Sequence, residues 1–134
     1  MNLEKLEEEA YGSDVFGQKL HPCCTALQTG FYKDGYCRTD KFDSNVHVVC
    51  AHVTKDYLAF AKSQGEDLTQ PNTNYDFPGL KQGDKWCLCV NKWKAALENN
   101  VAPPVFLNAT NEKALRYVSL ETLQKHASSA KREF

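Results

Sequence analysis

Val46-His47-Val48-Val49-Cys50-Ala51-His52-Val53 is the run whose reading decides the fold. Its density of β-branched residues is high, and both alternating faces are largely apolar. A strand of that pattern is expected in the middle of a sheet, covered on two sides. Thr54 follows as a helix cap, accepting an orphan amide hydrogen bond, with Asp56 placed against the positive helix end. Tyr57, Leu58 and Ala61 then supply the buried stripe, Phe60 lies beside them, and Gly65 supplies the stop. On the N-terminal side, Thr29-Gly30 introduces Phe31-Tyr32-Lys33-Asp34-Gly35-Tyr36-Cys37-Arg38-Thr39. Asp34-Gly35 suits a two-residue reverse turn, so a short hairpin with Tyr32 facing Cys37 is expected, with an ordered loop as the competing form.

Gly65 to Gly83 is rich in Gly, Pro, Asn and Asp but carries Leu68, Tyr75, Phe77 and Leu80 as anchors, so it is expected as a long structured loop. Trp86-Cys87-Leu88-Cys89-Val90 reads as a second strand, followed by a helix capped by Asn91 and packed through Trp93, Ala96 and Leu97. Asn99-Asn100 ends it. Pro103-Pro104 forces extended backbone before Val105-Phe106-Leu107, read as another strand. Thr110 is expected to cap a short helical turn, and Ser119 to open a last helix through Leu120, Leu123 and Ala127. Strands and helices of this length in one core imply an α+β class: a compact two-layer domain with a small sheet packed against short helices. Residues 1–12 are expected as a flexible extension with a thin helical stripe, 13–128 as one domain, and 129–134 as a flexible tail.

With 134 residues the chain is long enough to bury one core without disulfides or metal as a necessity. No apolar run approaches the about 18 residues of a membrane span, and the acidic start Met1-Asn2-Leu3-Glu4-Lys5-Leu6-Glu7-Glu8-Glu9 does not read as a secretory leader, so a soluble cytoplasmic protein without membrane partner is expected. Sixteen basic residues against seventeen acidic ones give a formal net charge of -1, which creates no field for a phosphate backbone and makes nucleic acid a poor partner. Nothing in the sequence sets the oligomeric state.

The six cysteines, Cys23, Cys24, Cys37, Cys50, Cys87 and Cys89, are the best chemical lead. Three disulfides would belong to an exported protein, so free thiols or metal thiolates fit the expected compartment better. Cys87 and Cys89 on a strand share one face with Cα atoms about 6.6 Å apart, near the upper edge of disulfide geometry and wide for paired zinc ligation without a bend. A zinc-like site therefore needs distant members of the set Cys23, Cys37, His47, Cys50, Cys87 and Cys89 to converge. His47 and Cys50 point to opposite strand faces and form no local dyad. Instead, Asp43, Asp67 or Asp84 is a possible partner that would make His47 an oriented base. Cys37, His47, Cys50 and Asp67 are thus candidate catalytic residues. Thr29, Gly30, Arg38 and Trp86 are candidate ligand contacts, Arg38 and the amides around Gly30 suiting an anion or carboxylate. Turn-making alone also explains Thr-Gly and Asp-Gly, and core packing explains buried thiols and tryptophans. No Walker loop, dinucleotide fingerprint, Gly-x-Ser-x-Gly elbow or His-Glu-x-x-His motif occurs.

Several blocks stand in one recognisable order along the chain. They are Val15-Phe16-Gly17 with Cys23, Thr29-Gly30-Phe31 with Asp34-Gly35 and Cys37, and His47-Val48-Val49-Cys50-Ala51 with Thr54. Phe77-Pro78-Gly79-Leu80, Gly83-Asp84-Lys85-Trp86-Cys87-Leu88-Cys89 with Trp93, Ala102-Pro103-Pro104-Val105 and Ala109-Thr110 complete the set. In that order they resemble the DUF2237 family of small uncharacterised proteins, from Asp14 to Ala127, and the resemblance implies a two-layer α+β fold, with no activity, cofactor or catalytic residue to transfer. Glu66 stands where the family pattern has Asn, Asp40 and Asn45 where it usually has Gly, and Cys24 lies outside the recurring cysteines.

Function is expected to be binding of a small molecule, with enzymatic action on it as an open possibility, at a polar site built from the Thr29–Thr39 segment, His47, Asp67 and the Trp86–Cys89 segment. The alternatives are a metal-stabilised, zinc-like protein-interaction module and a redox thiol protein.

Overall fold

A computed structural model describes residues 12–24, 26–27, 29–39, 43, 46–75 and 77–128. The expected N-terminal stripe, Asp40, Asn45, Asp76 and the 129–134 tail lie outside the described residues.

The architecture is a small α+β domain. Strand β1 (His47–His52) pairs antiparallel with β2 (Lys85–Cys89), placing Cys50 opposite Cys87 and Ala51 opposite Trp86. The other edge of β1 is also occupied. His52 N donates to Pro104 O at 2.8 Å and Phe106 N to Cys50 O at 2.9 Å. Val48, Val49 and Ala51 pack into one buried apolar cluster and Cys50 into a second, so all four are buried, as the apolar run required. The 104–106 segment makes only an isolated bridge at Val105, which pairs with both Ala51 and Ala127, instead of the expected third strand. Pro104 brings no amide hydrogen to a ladder, and the chain turns into a short 3-10 helix at Leu107–Ala109.

Helix α1 (Lys55–Ser63) starts at Thr54, whose hydroxyl accepts from Tyr57 N at 3.1 Å, and buries Tyr57 and Ala61. It ends on Gly65 at φ 91°, with Gly65 N donating to Lys62 O and Glu66 N to Ala61 O, a paired closure that sets where Glu66 leaves the helix. Helix α2 (Val90–Glu98) follows β2 without a connecting residue, so Cys89 is its cap in place of Asn91. Trp93 is fully buried, and its indole N–H donates to Pro103 O at 3.0 Å, which satisfies the polar end of a large apolar side chain. Helix α3 (Leu120–Lys125) starts at Ser119 as expected and buries Leu123. The turn before it, a 3-10 helix at Glu112–Arg116, is capped by Asn111 and not by Thr110.

The expected hairpin around Asp34-Gly35 is absent among the described residues, where 31–36 form turns and bends. The Asp34 carboxylate accepts from Tyr36 N and from Arg38 Nε, at 3.1 and 2.7 Å, and shapes the ordered loop that competed with it. The main core gathers Tyr57, Leu88, Val90, Trp93, Val105 and Leu123 around β1. A second buried cluster consists of Cys23, Cys37, Cys50, Cys87, Phe106 and Ala109. None of the described helices is long and apolar enough to cross a membrane.

Candidate functional site

The loop entering β1 places the carboxylate of Asp43, which is 1% exposed, beside the ring of His47, which is 33% exposed. Asp43 Oδ1 lies 2.8 Å from His47 Nδ1, while Oδ2 accepts from His47 N and from the Thr39 hydroxyl, both at 2.9 Å. Burial pushes the Asp43 carboxyl up, but the hydrogen bonds from the His47 amide, Thr39 and the His47 ring outweigh it and hold the group below its ordinary range. An ionised carboxylate only accepts, so Nδ1 carries the hydrogen, and Nε2 is the ring nitrogen left to take up or release a proton.

Val46 adopts φ 50°, a left-handed conformation that a β-branched residue rarely holds. Its carbonyl accepts from Val48 N and from Val90 N at 3.0 and 3.1 Å, tying the start of β1 to the start of α2. The ladder is irregular between His47 and Val49, and His47 lies opposite Cys89. Directly opposed residues of an antiparallel pair have Cβ atoms about 4.5–5.5 Å apart. Cys89 is a free, buried thiol at the N-cap of a nine-residue helix.

His47 and Cys89 line one hollow of about 140 Å³ together with Tyr57, Glu66, Leu68, Trp86, Cys87, Leu88 and Lys92. Leu68, Leu88 and Trp86 make apolar wall, and Trp86 is buttressed edge-on by Phe77 at 5.3 Å. The Tyr57 phenol is pushed up to about 12 by burial and then by the negative charge that Cys89 can carry. Lys92 and Glu66 form an ion pair at the rim, and partial burial pushes the Lys92 ammonium down.

The cysteines differ from the expectation of thiols or metal thiolates. Cys23 is bonded to Cys50 and Cys37 to Cys87, leaving Cys24 and Cys89 free. The reason is tertiary: Cys50 and Cys87 face each other across the ladder, and the 23–37 loop lays one further cysteine against each. The Sγ atoms of Cys23, Cys37 and Cys87 all lie within 4.8 Å of one another. His47 and Cys89 do not belong to that group.

Of the other candidates, Thr29 is buried and its hydroxyl accepts from Cys87 N at 2.8 Å. Gly30 has φ 98°, and a Cβ there would meet Tyr36 O at 2.3 Å, so this close turn admits only glycine. Arg38 pairs with Asp34 and lies 3.9 Å above the Tyr32 ring. Asp67 is on the surface, where its carboxylate binds the Thr69 amide and hydroxyl; those hydrogen bonds hold it below its ordinary range. Thr29, Gly30, Arg38 and Asp67 therefore stand outside the residues lining the hollow, whereas His47 and Trp86 line it. Tyr57, Glu66 and Lys92 are not among the candidates. Tyr57 reads as part of a helix's apolar stripe and Glu66 as a departure from the family pattern, and nothing local links Glu66 to Lys92, which it meets across 26 residues.

The family model described as an uncharacterised protein conserved in bacteria, DUF2237, matches residues 13–127. The chain belongs to the DUF2237 family. The match spans both the sulfur cluster and the His47 hollow, so both lie within the residues this chain shares with the DUF2237 family. No curated protein matches this DUF2237 chain.

Proposed function

We propose that this domain binds a small carbonyl compound in the His47 hollow and acts on it as a thiol enzyme, with Cys89 as nucleophile and His47 as the base held by Asp43. The observation that carries the reading is the placement of His47 opposite Cys89 at one opening, its ring fixed by a buried carboxylate. A base oriented by an acid and facing a nucleophile is the arrangement that activates a thiol. The strained Val46 beside it supports the reading, because such backbone is concentrated where geometry must be held for a task. The hollow has the space of about five waters at roughly 30 Å³ each, so it suits a short acyl group, or the acyl end of a molecule that extends past the Lys92–Glu66 rim.

In the acylation step the Cys89 proton passes to His47 Nε2 and the sulfur forms a bond to the carbonyl carbon. The bond to the leaving oxygen, nitrogen or sulfur breaks, and that atom takes the proton from His47. Water then gives a proton to His47 as its oxygen attacks the thioester carbon. The sulfur–carbon bond breaks and the proton returns to sulfur, so the net change is hydrolysis. The cytoplasm is the compartment we propose, with no nucleic acid or membrane as partner; the balanced charge, which sets up no field for a phosphate backbone, supports leaving out nucleic acid.

The test uses small activated acetyl and propionyl esters with intact-mass and peptide analysis. One acyl group is expected on Cys89, absent in Cys89→Ala and formed about 100-fold more slowly in His47→Gln. Acylation confined to Cys24, or a rate at Cys89 indifferent to His47→Gln, would overturn the reading.

A further inference from the structure

The second buried cluster carries an inference independent of the thiol-enzyme reading. We propose that the sulfurs of Cys23, Cys37, Cys50 and Cys87 form a convertible centre: two disulfides when oxidised, and a tetrathiolate site for one soft divalent cation of the zinc class when reduced.

Four sulfurs at the corners of a tetrahedron around zinc, each about 2.3 Å from the metal, lie about 3.8 Å from one another. In the oxidised form three of them already lie within 4.8 Å of one another, and the fourth, of Cys50, is bonded to the sulfur of Cys23. The Cα separations within the pairs are 5.6 and 5.3 Å. Opening both bridges leaves four thiols in one buried cluster, and side-chain rotation that brings the Cys50 sulfur toward those of Cys37 and Cys87 completes the set. The backbone there is held independently of the sulfurs. Cys50 N donates to the Thr110 hydroxyl, Cys87 N to the Thr29 hydroxyl and Cys23 N to Gly35 O. All four cysteines are at most 1% exposed, which shields bound metal from competing water and chelators. The Gly30 turn packs against this centre, since a Cβ at Gly30 would lie 3.8 Å from Cys87 Sγ.

The conversion balances. Two molecules of a dithiol reductant supply four electrons and four protons, becoming two cyclic disulfides while both protein bridges become four thiols. A divalent cation then displaces the four protons and forms four metal–sulfur bonds. In reverse, two molecules of hydrogen peroxide take four electrons from the four thiolates. With four protons they yield four waters, both bridges and the released cation. A reducing cytoplasm favours the metal form and oxidative stress the bridged one. The two residual thiols, Cys24 and Cys89, stand outside the exchange.

The experiment uses the full-length, untagged chain, reduced by a dithiol without oxygen, freed of reductant and titrated with Co²⁺ and then Zn²⁺. One Co²⁺ per chain is expected, with the intense thiolate charge-transfer and ligand-field bands of a four-sulfur tetrahedral site, lost on Zn²⁺ addition. Native mass analysis should then show one zinc, released by peroxide as both bridges form. The Cys24→Ser/Cys89→Ser double variant should bind equally well. A reduced chain that holds no Co²⁺, folded or not, overturns the proposal. So does a Co²⁺ spectrum of fewer than four thiolates, or binding lost in the double variant, which would place the metal at the His47–Cys89 hollow. None of these outcomes depends on acyl transfer.

Discussion

Asp43 grips His47 twice, through the ring at 2.8 Å and through the backbone amide at 2.9 Å, so one buried carboxylate both orients the imidazole and pins the first residue of β1. Its folded pKa lies below the ordinary value of 3.8, so the ionised form favours the folded state. That contribution is fully present above the unfolded pKa and is lost as pH falls through the folded one. Chemical denaturation between pH 6 and 2 should show stability dropping below about pH 4. Asp43→Asn should be less stable at pH 7, by roughly 1–3 kcal/mol, and should lose part of that acid-dependent drop. An unchanged pH profile in Asp43→Asn would assign the acid sensitivity to other carboxylates.

Each disulfide restricts a long stretch of unfolded chain, with sequence separations of 27 and 50 residues. Loop-closure entropy puts the stabilisation at about 3.5 kcal/mol for Cys23–Cys50 and about 4 kcal/mol for Cys37–Cys87 when each is considered alone. Because the loops overlap, the sum is an upper bound. Urea unfolding of Cys23→Ala/Cys50→Ala and Cys37→Ala/Cys87→Ala under oxidising, metal-free conditions checks this; losses below about 1 kcal/mol in both would mean the bridges constrain little.

Gly30 and Gly17 separate the two reasons for glycine. Both have positive φ, 98° and 77°, but a Cβ at Gly30 would meet Tyr36 O at 2.3 Å, whereas one at Gly17 would meet nothing within 4 Å. Gly17→Ala should cost about 1 kcal/mol from left-handed strain alone. Gly30→Ala should cost at least twice as much, since the turn over the sulfur cluster must open as well. Equal losses in thermal unfolding would show that the 30–36 turn yields freely.

Thr110 is fully buried because it is a connector: its hydroxyl accepts from Cys50 N at 3.1 Å and donates to Phe106 O at 2.9 Å. Thr110→Val keeps the shape but leaves a buried amide and a buried carbonyl unpaired. A loss of about 2–4 kcal/mol is expected, with Thr110→Ser retaining most of the stability. Denaturant midpoints of the two variants against the parent measure it.

The sequence by itself determined the elements whose cause is local. The β-branched run made β1, Thr54 and Ser119 made helix starts, and Gly65 made a helix end, because side-chain sterics and cap hydrogen bonds act within a few residues. Where two local options were close in energy, the tertiary structure chose. Asp34-Gly35 became a loop bound by its own carboxylate instead of a hairpin, and Asn91 yielded the cap to Cys89 because β2 runs straight into α2. The chemistry was decided by tertiary structure almost entirely. Cys23 and Cys50, Cys37 and Cys87, Glu66 and Lys92 meet across 26 to 50 residues. Such meetings depend on ladder register and on how the loops return to the sheet. Residue identity specifies that a thiol, an imidazole or a carboxylate is available, and only the packed chain sets which of them stand together.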